Sequence, residues 1–523
     1  MAIGLIFITG LLGIFIYPTV IFGWHAPDLG ILAWIYLVPL FIVLKSLHGA
    51  RRFFASFFSA LIFYLGSLYW LVSAMKNFGG LSPAESFGVL FLITLILAFF
   101  FASALSLAAR VHERMGLPLF LLNASFLMAA DFFRTYFPTG GFPWSLPAYS
   151  QGAFLPFFQW VDVTGVYGLN ILIYLVNGLL AEMIMVLTKG KEKDHLLNRF
   201  LILVLFVMIS FFGSYWQQRK MEDESNRGET VQIALIQGNI GQELKWNPRK
   251  ALKHLHQYLS LSDRAIADGA DLVIWPETAF PYTVDLSLLS IRQILDRDNF
   301  PIPIIFGAVG ERPGIIEEEP VIYNSAFLVD RDVRIRQVYH KQHLVPFGEY
   351  VPMKRWLTFA RRLTTAVGDF TPGDKFTLFE TGALQMGTLI CYEDIFPDLA
   401  RGFVRHGANL LINITNDAWY GNSSAQYQHL VFSQFRALEN RRPLLRATNT
   451  GMTAFIDSRG EVLHRLSPFT EDILLKGVAV EERKTLYTKL GDFVGWFSVI
   501  FSVAVLTLSL FKRREGVGDR IDP

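Results

Sequence analysis

Four stretches of this 523-residue chain, residues 2–24, 53–75, 86–109 and 493–511, contain no charged side chain. A helix needs about 20 apolar residues to cross the hydrocarbon core of a bilayer, and each stretch supplies them. A purely soluble fold is thereby excluded. Residues 29–44, 115–130 and 200–216 are shorter apolar runs, and residues 164–187 form a longer one with Glu182 near an end. Eight spans are expected: a multi-pass α-helical membrane domain of seven transmembrane helices over residues 1–220, and an eighth helix over 490–513 followed by a tail, 514–523. The first run lacks a basic leader and further spans follow it at once, so it reads as retained rather than as a cleaved signal.

Cytoplasmic loops hold lysine and arginine in excess. Here the basic residues gather at Lys45, Arg51 and Arg52; at Arg110 and Arg114; at Lys189, Lys191, Lys193 and Arg199; and at Lys512, Arg513 and Arg514. With eight spans, all of them fall on one side. Both termini are then cytoplasmic, and the segment between the seventh and eighth spans lies outside. A formal net charge of +2 and the lack of a basic stripe interleaved with aromatics argue against nucleic-acid binding. The stretch 134–158 is too rich in proline and glycine for a spanning helix, and reads as an interfacial loop packed under the external segment.

Residues 229–485 follow a different grammar. Short β-branched runs at 231–237, 271–275, 302–309, 325–330, 333–340, 384–390, 410–414, 444–448 and 453–457 alternate with helical patterns, the clearest at 424–440. Asn247 and Pro248 supply a cap and a first-turn proline for a helix reaching about residue 268. This is an α/β domain of ordinary size.

Three polar residues follow strands in this domain. Glu277 comes after LVIWP, Lys341 after the alternating run 333–340, and Cys391, the only cysteine in the chain, after GTLI. A single cysteine cannot form an internal disulfide; it is either a small buried hydrophobe or a reactive thiol. Brought together, the three groups have a clear chemical logic. A carboxylate can take the thiol's proton, and a lysine can favour the thiolate and then the oxyanion of a tetrahedral intermediate.

The motifs WPE at 275–277, YHKQHLVPFGEYVP at 339–352 and CYED at 391–394, in that order, resemble the Glu-Lys-Cys pattern of the nitrilase, or carbon-nitrogen hydrolase, superfamily. Their setting among membrane spans is similar to its membrane-embedded apolipoprotein N-acyltransferase family. The resemblance implies an extracytoplasmic nitrilase-like α-β-β-α sandwich in the bacterial inner membrane, with the catalytic domain periplasmic. It further implies transfer of an acyl chain from a phospholipid to the N-terminal α-amino group of a diacylglyceryl-cysteine apolipoprotein, through a thioester on Cys391. Glu277 would be the general base, Lys341 the oxyanion partner, Cys391 the nucleophile, and Glu349 the residue that orients the lysine. Trp246, Asn324, Tyr392 and Glu393 match motif positions near the family's site. Trp419, with Tyr420 beside it, is expected to wall the pocket. The alternative is a membrane-tethered amidase or nitrilase that uses the same three residues with water as acceptor.

His340 and His343 flank Lys341, yet no H-E-x-x-H or paired C-x-x-C accompanies them, so neither a metal nor any other cofactor is expected. The expected partners are the phospholipid donor, the apolipoprotein acceptor and the bilayer itself, the enzyme acting as a monomer. Residues 353–363, MKRWLTFARRL, alternate basic and apolar side chains. They read either as an arm in the lipid headgroup layer or as a surface helix of the α/β domain.

Overall fold

The computed structural model describes residues 2–512 apart from 22, 78, 139, 190–196, 202, 206, 209, 216–229, 246, 296, 315–318 and 352–368. Trp246, the basic segment 353–363 and the tail 514–523 lie outside the described residues.

The amino-terminal half is helical: α1 (Ala2–Phe15), α2 (Val38–Leu44), α3 (Gly49–Ser67), α4 (Leu71–Asn77), α5 (Pro83–Met115), α6 (Leu119–Arg134), α7 (Val161–Lys189) and α8 (Leu197–Tyr215). Local chemistry sets the boundaries. Ser82 and Glu85 close a capping box at the start of α5, Gly116 ends that helix at φ +74°, and Pro118 opens α6. Helices near one another in the chain pack side by side, α1 on α3, α3 on α5, α5 on α6 and α6 on α7; the C-terminal helix Phe493–Phe511 lies against α6. Outward faces carry bare apolar side chains such as Phe54, Phe58, Phe99, Trp496 and Ile500. Lipid is the solvent that suits them.

Several expected spans are interrupted. Residues 2–24 divide after Phe15, near Pro18, and the chain then forms a small hairpin pairing Val20–Ile21 with Trp24–His25. Residues 29–44 make a 3-10 turn, Gly30–Trp34, before α2. α3 and α4 meet at a 53° bend. Among the described residues, four helices are long and apolar enough to cross a bilayer, namely Pro83–Met115, Val161–Thr188, Leu197–Tyr215 and Phe493–Phe511; the bent pair α3 and α4 makes a fifth.

The carboxy-terminal half is a four-layer α-β-β-α sandwich. Its strands are β1 (Thr230–Gln237), β2 (Leu272–Ile274), β3 (Ile304–Arg312), β4 (Val321–Val329), β5 (Ile335–His340), β6 (Leu378–Thr381), β7 (Leu384–Ile390), β8 (Leu410–Thr415), β9 (Leu444–Thr448), β10 (Ala454–Ile456), β11 (Val462–Arg465) and β12 (Asp472–Ala479). One sheet runs β12-β1-β2-β3-β4-β5, with the two-residue strand Val284–Asp285 beside β3; the other runs β11-β10-β9-β8-β7-β6. β1, β2 and β3 are parallel, as are β7, β8 and β9. Alternation along β1 divides the core: Ile233 and Leu235 pack between the sheets with Met386 and Leu411, while Ala234 and Ile236 pack on Leu255, Tyr258 and Leu259 of α9 (Ala251–Ala267).

On the far face of the second sheet lie α10 (Pro397–Arg405) and α11 (Ser424–Asn440). α11 also packs on α7 and on the 3-10 segment Pro147–Phe157, so that every residue in it except Tyr427 is buried. The stretch 134–158 is thus wedged between the membrane helices and the sandwich. Polar groups bolt the two parts together: Arg441 Nε donates to Asp162 Oδ2 (2.9 Å), Trp144 Nε1 to Gln428 Oε1 (2.8 Å), and Val166 N–H to Glu439 Oε1 (2.8 Å).

Candidate active site

Each of the three strand-end groups stands where a sheet stops. β2 ends at Ile274, and the turn after it is clamped to β3: Trp275 N–H donates to Ile305 O (2.8 Å) and Gly307 N–H to Pro276 O (3.2 Å). Thr278 takes φ +45°, and a Cβ on residue 307 would come within 2.7 Å of Glu277 Cα, so this close approach requires glycine. Lys341 follows β5, its N–H donating to Asn324 O (2.9 Å). Cys391 follows β7 at φ +52°, a conformation uncommon for a residue with a side chain and typical of functional turns.

Glu277 and Lys341 belong to the first sheet and Cys391 to the second. The candidate site therefore lies across the sandwich. Lys341 Nζ stands 3.7 Å from Glu277 Oε1 and 2.9 Å from Glu349 Oε2. Asn324 Nδ2 donates to both carboxylates, to Glu277 Oε1 (2.8 Å) and to Glu349 Oε1 (2.7 Å). Glu349 is completed by Val345 N–H (2.8 Å). Among the described residues, Glu277 Oε2 accepts no hydrogen bond. One oxygen of the carboxylate is thus anchored and the other open.

Burial dominates the electrostatics. It pushes the Cys391 thiol well up, and the Glu277 carboxylate adds to this; Lys341 and a hydrogen bond from Thr415 only partly oppose them. The resting sulfur is therefore a thiol, which needs a base at the moment of attack. Burial would lower Lys341, but Glu349 and Glu277 outweigh it and hold the ammonium above its ordinary range. Lys341 is a permanent cation here.

Glu393 is fully buried and spans the two sheets. Oε1 accepts from Tyr339 Oη (2.8 Å), Gln342 N–H (2.7 Å) and His343 N–H (3.1 Å), and Oε2 from Ile390 N–H (2.7 Å). It ties the chain just past Lys341 to the chain just before Cys391, with all these contacts made to protein. Tyr392 is buried and donates to Gly141 O (3.3 Å), which brings the membrane-side stretch 134–158 to the edge of the site. Trp419 is half-buried in the 3-10 turn Asp417–Tyr420, whose Tyr420 packs edge-on against Trp70 of the membrane part. Trp246 lies outside the described residues.

A second charged cluster, absent from the motif reading, sits beneath Cys391. His429 Nδ1 and Nε2 stand 2.9 and 2.8 Å from Asp417 Oδ1 and Asp394 Oδ1, and Arg446 bonds the other oxygen of each carboxylate (Asp417 2.9 Å, Asp394 3.1 Å). Arg446 also holds Asn413 Oδ1 (2.6 Å), while Asn413 Nδ2 donates to Cys391 O (3.1 Å). Arg446 and Asn413 interrupt apolar strands, and such an interruption signals a buried partner. Lys245, one residue before Trp246 in LKWN, also reaches the site: its Nζ donates to Glu277 O (2.9 Å).

Comparison with known proteins covers both halves. The carbon-nitrogen hydrolase model matches residues 232–486, and the model of the apolipoprotein N-acyltransferase N-terminal domain matches residues 10–179. The chain is 36% identical over 493 residues to apolipoprotein N-acyltransferase of Geobacter metallireducens, covering 94% of this chain and 93% of that protein. It is 30% identical over 538 residues to the protein of the same name from Chlorobaculum tepidum, covering 97% and 96%.

Proposed function

Because this chain belongs to the apolipoprotein N-acyltransferase family, we propose that it N-acylates apolipoproteins by a two-step thiol route centred on Cys391. It is a membrane-bound transferase of lipoprotein biosynthesis, with a nitrilase-like domain in its carboxy-terminal half. The amidase alternative is not favoured, since the likeness to acyltransferases extends through the membrane part as well.

In the first step Glu277 takes the Cys391 proton as the sulfur attacks an ester carbonyl of a phospholipid. The oxyanion develops beside Lys341, whose orientation Glu349 and Asn324 maintain. The intermediate collapses with loss of the glycerol oxygen, which receives the proton from Glu277 as lysophospholipid departs. A thioester remains on Cys391. In the second step the α-amino group of the diacylglyceryl-cysteine acceptor attacks the thioester carbonyl, Glu277 removes the amine proton, and the sulfur leaves and is reprotonated. Trp419, with Tyr420, is assigned to the pocket wall, Trp246, Asn324 and Tyr392 to substrate binding near the site, and Glu393 to the brace between lysine and nucleophile.

The observation that carries this scheme is a Glu277 carboxylate that is anchored through Oε1 and acts electrostatically on a thiol that burial keeps protonated. The proposal extends to topology: eight spans in the inner membrane of a bacterium, both termini cytoplasmic, the sandwich periplasmic, and a monomeric enzyme. Contacts between site residues and the membrane part, Tyr392 with Gly141 and Tyr420 with Trp70, suit substrates that arrive from lipid. Intact-protein mass spectrometry from native membranes tests the chemistry. Wild type should carry a fatty acyl mass on Cys391 and Cys391→Ser none; acyl mass retained in the variant would end the thioester scheme.

A further inference from the structure

A charged group beside the reaction centre has no work in the scheme above. Lys245 lies at the end of the short helix Gln242–Lys245, which is held to the second sheet's loop by Asn416 Nδ2 donating to Gln242 Oε1 (2.6 Å). Only 8% of the residue is exposed. Its ammonium has three donors, and the contact it makes is with the main-chain oxygen of Glu277. No carboxylate pairs with it among the described residues. A buried, unpaired ammonium is costly, and a neutral side chain would spare the fold that cost.

We propose that Lys245 is a second cation of the reaction centre, a positioning residue that holds the main chain of Glu277 and keeps its carboxylate ionised to receive the thiol proton. The inference rests on the reading of Glu277 as base. Charge balance supports it. Glu277, Glu349 and Glu393 all act on Lys341, one cation among three buried carboxyl groups, so the charge of Lys245 offsets part of the remainder. Without it, the excess negative charge would favour protonation of Glu277 and oppose ionisation of Cys391.

The groups facing Lys245 are consistent with this role. Burial lowers its ammonium to about 8, and the two groups that oppose the loss are Glu277, at the end of β2, and Cys391, at the end of β7. From α9, His254 feels Lys245 together with Lys250 and Lys253, and burial first and then these three cations lower that imidazole below its ordinary range. The turn that Lys245 steadies is the strained one, with Thr278 at φ +45°. Hydrogen bonding and charge thus act on the same residue from one side chain.

The test is the pH dependence of Cys391 alkylation by iodoacetamide, an uncharged reagent, in the full-length protein in detergent. Lys245→Gln keeps a donor for the Glu277 carbonyl and removes the charge; Lys245→Arg keeps both. In Lys245→Gln the acidic limb should move up by about one pH unit, with roughly a tenfold slower reaction on that limb, and in Lys245→Arg it should stay in place. A Lys245→Gln limb at the wild-type position, or equal shifts in both variants, would overturn the proposal. If Lys245→Gln does not fold, Lys245→Arg decides: an unmoved limb supports the assignment and a moved one defeats it. Glu277→Gln, run alongside, separates the two readings. Loss of its limb with no response to Lys245 sinks this inference alone, whereas wild-type alkylation in Glu277→Gln removes the base, and the inference with it.

Discussion

Two buried charge clusters flank Cys391, built from similar side chains and used in opposite ways. In the lower one, Asp394, Asp417, His429 and Arg446, every carboxylate oxygen meets a donor: His429 takes one oxygen of each aspartate, Arg446 the other, and Ser433 adds a further bond to Asp394 (2.6 Å). In the upper one, Lys341 and Glu349 are bonded to each other, yet among the described residues one oxygen of Glu277 accepts no hydrogen bond. Carboxylates met by donors on every oxygen hold their surroundings rigid, although Arg446 Nε finds no partner among the described residues. An oxygen that no protein donor occupies is available to a reacting proton. The contrast divides the charges around the thiol into those that hold the turn and one that moves a proton.

The contrast breaks first at Glu277. Glu277→Gln retains the Asn324 contact through its carbonyl and removes the base, so acyl transfer should fall by about 10²–10⁴-fold with an unchanged melting temperature. Initial rates of acyl transfer from labelled phospholipid, with a melting curve on the same preparation, provide the check; a variant that melts early would place Glu277 with the structural cluster instead.

Arg446→Met should do the reverse. It leaves Asp394 and Asp417 buried with His429 alone between them, and breaking a buried pair in this way costs about 3–5 kcal/mol. Thermal or protease challenge should show the loss. Folded molecules that survive should still react at Cys391, because neither Glu277 nor Lys341 touches Arg446. An equal loss of stability and of reactivity per folded molecule would show that the two clusters act as one.

The division was only half legible in the sequence. Strands β7 and β9 and helix α11 follow the expected boundaries residue for residue, because each is a bounded run with one dominant periodicity. The half-exposed edge strands β6, β11 and β12 escaped, as did α10, nine residues long and directly after the cysteine turn. In the membrane part, apolarity reports the environment and not the continuity of a helix. The breaks after Phe15 and at the α3–α4 bend are therefore invisible in composition. At the site, Glu277, Lys341 and Cys391 each end a strand, but strand order alone does not say that they come from two opposed sheets. Lys245 and the His429 cluster act through contacts between segments far apart in the chain, and no local pattern records such contacts.

The smallest effect sharpens the comparison most, since it reads the lower cluster while leaving its fold intact. Burial and Arg446 both lower His429, but Asp394 and Asp417 outweigh them and raise the imidazolium from its ordinary 6.5 to about 9. Burial would raise Asp417, yet His429 and Arg446 bring it from 3.8 down to about 2. The raised group adds stability that is complete below pH 6.5 and disappears as the pH climbs through 9; the depressed one adds stability present above pH 3.8 and lost as the pH falls through 2. Between pH 3.8 and 6.5 the cluster's contribution is flat. His429→Gln cannot carry the proton, so its melting temperature should lie below that of wild type at pH 6 and the gap should narrow steadily toward pH 9. A gap that stays constant over that range would mean that the imidazole between the two aspartates is neutral, and that Arg446 alone compensates both carboxylates.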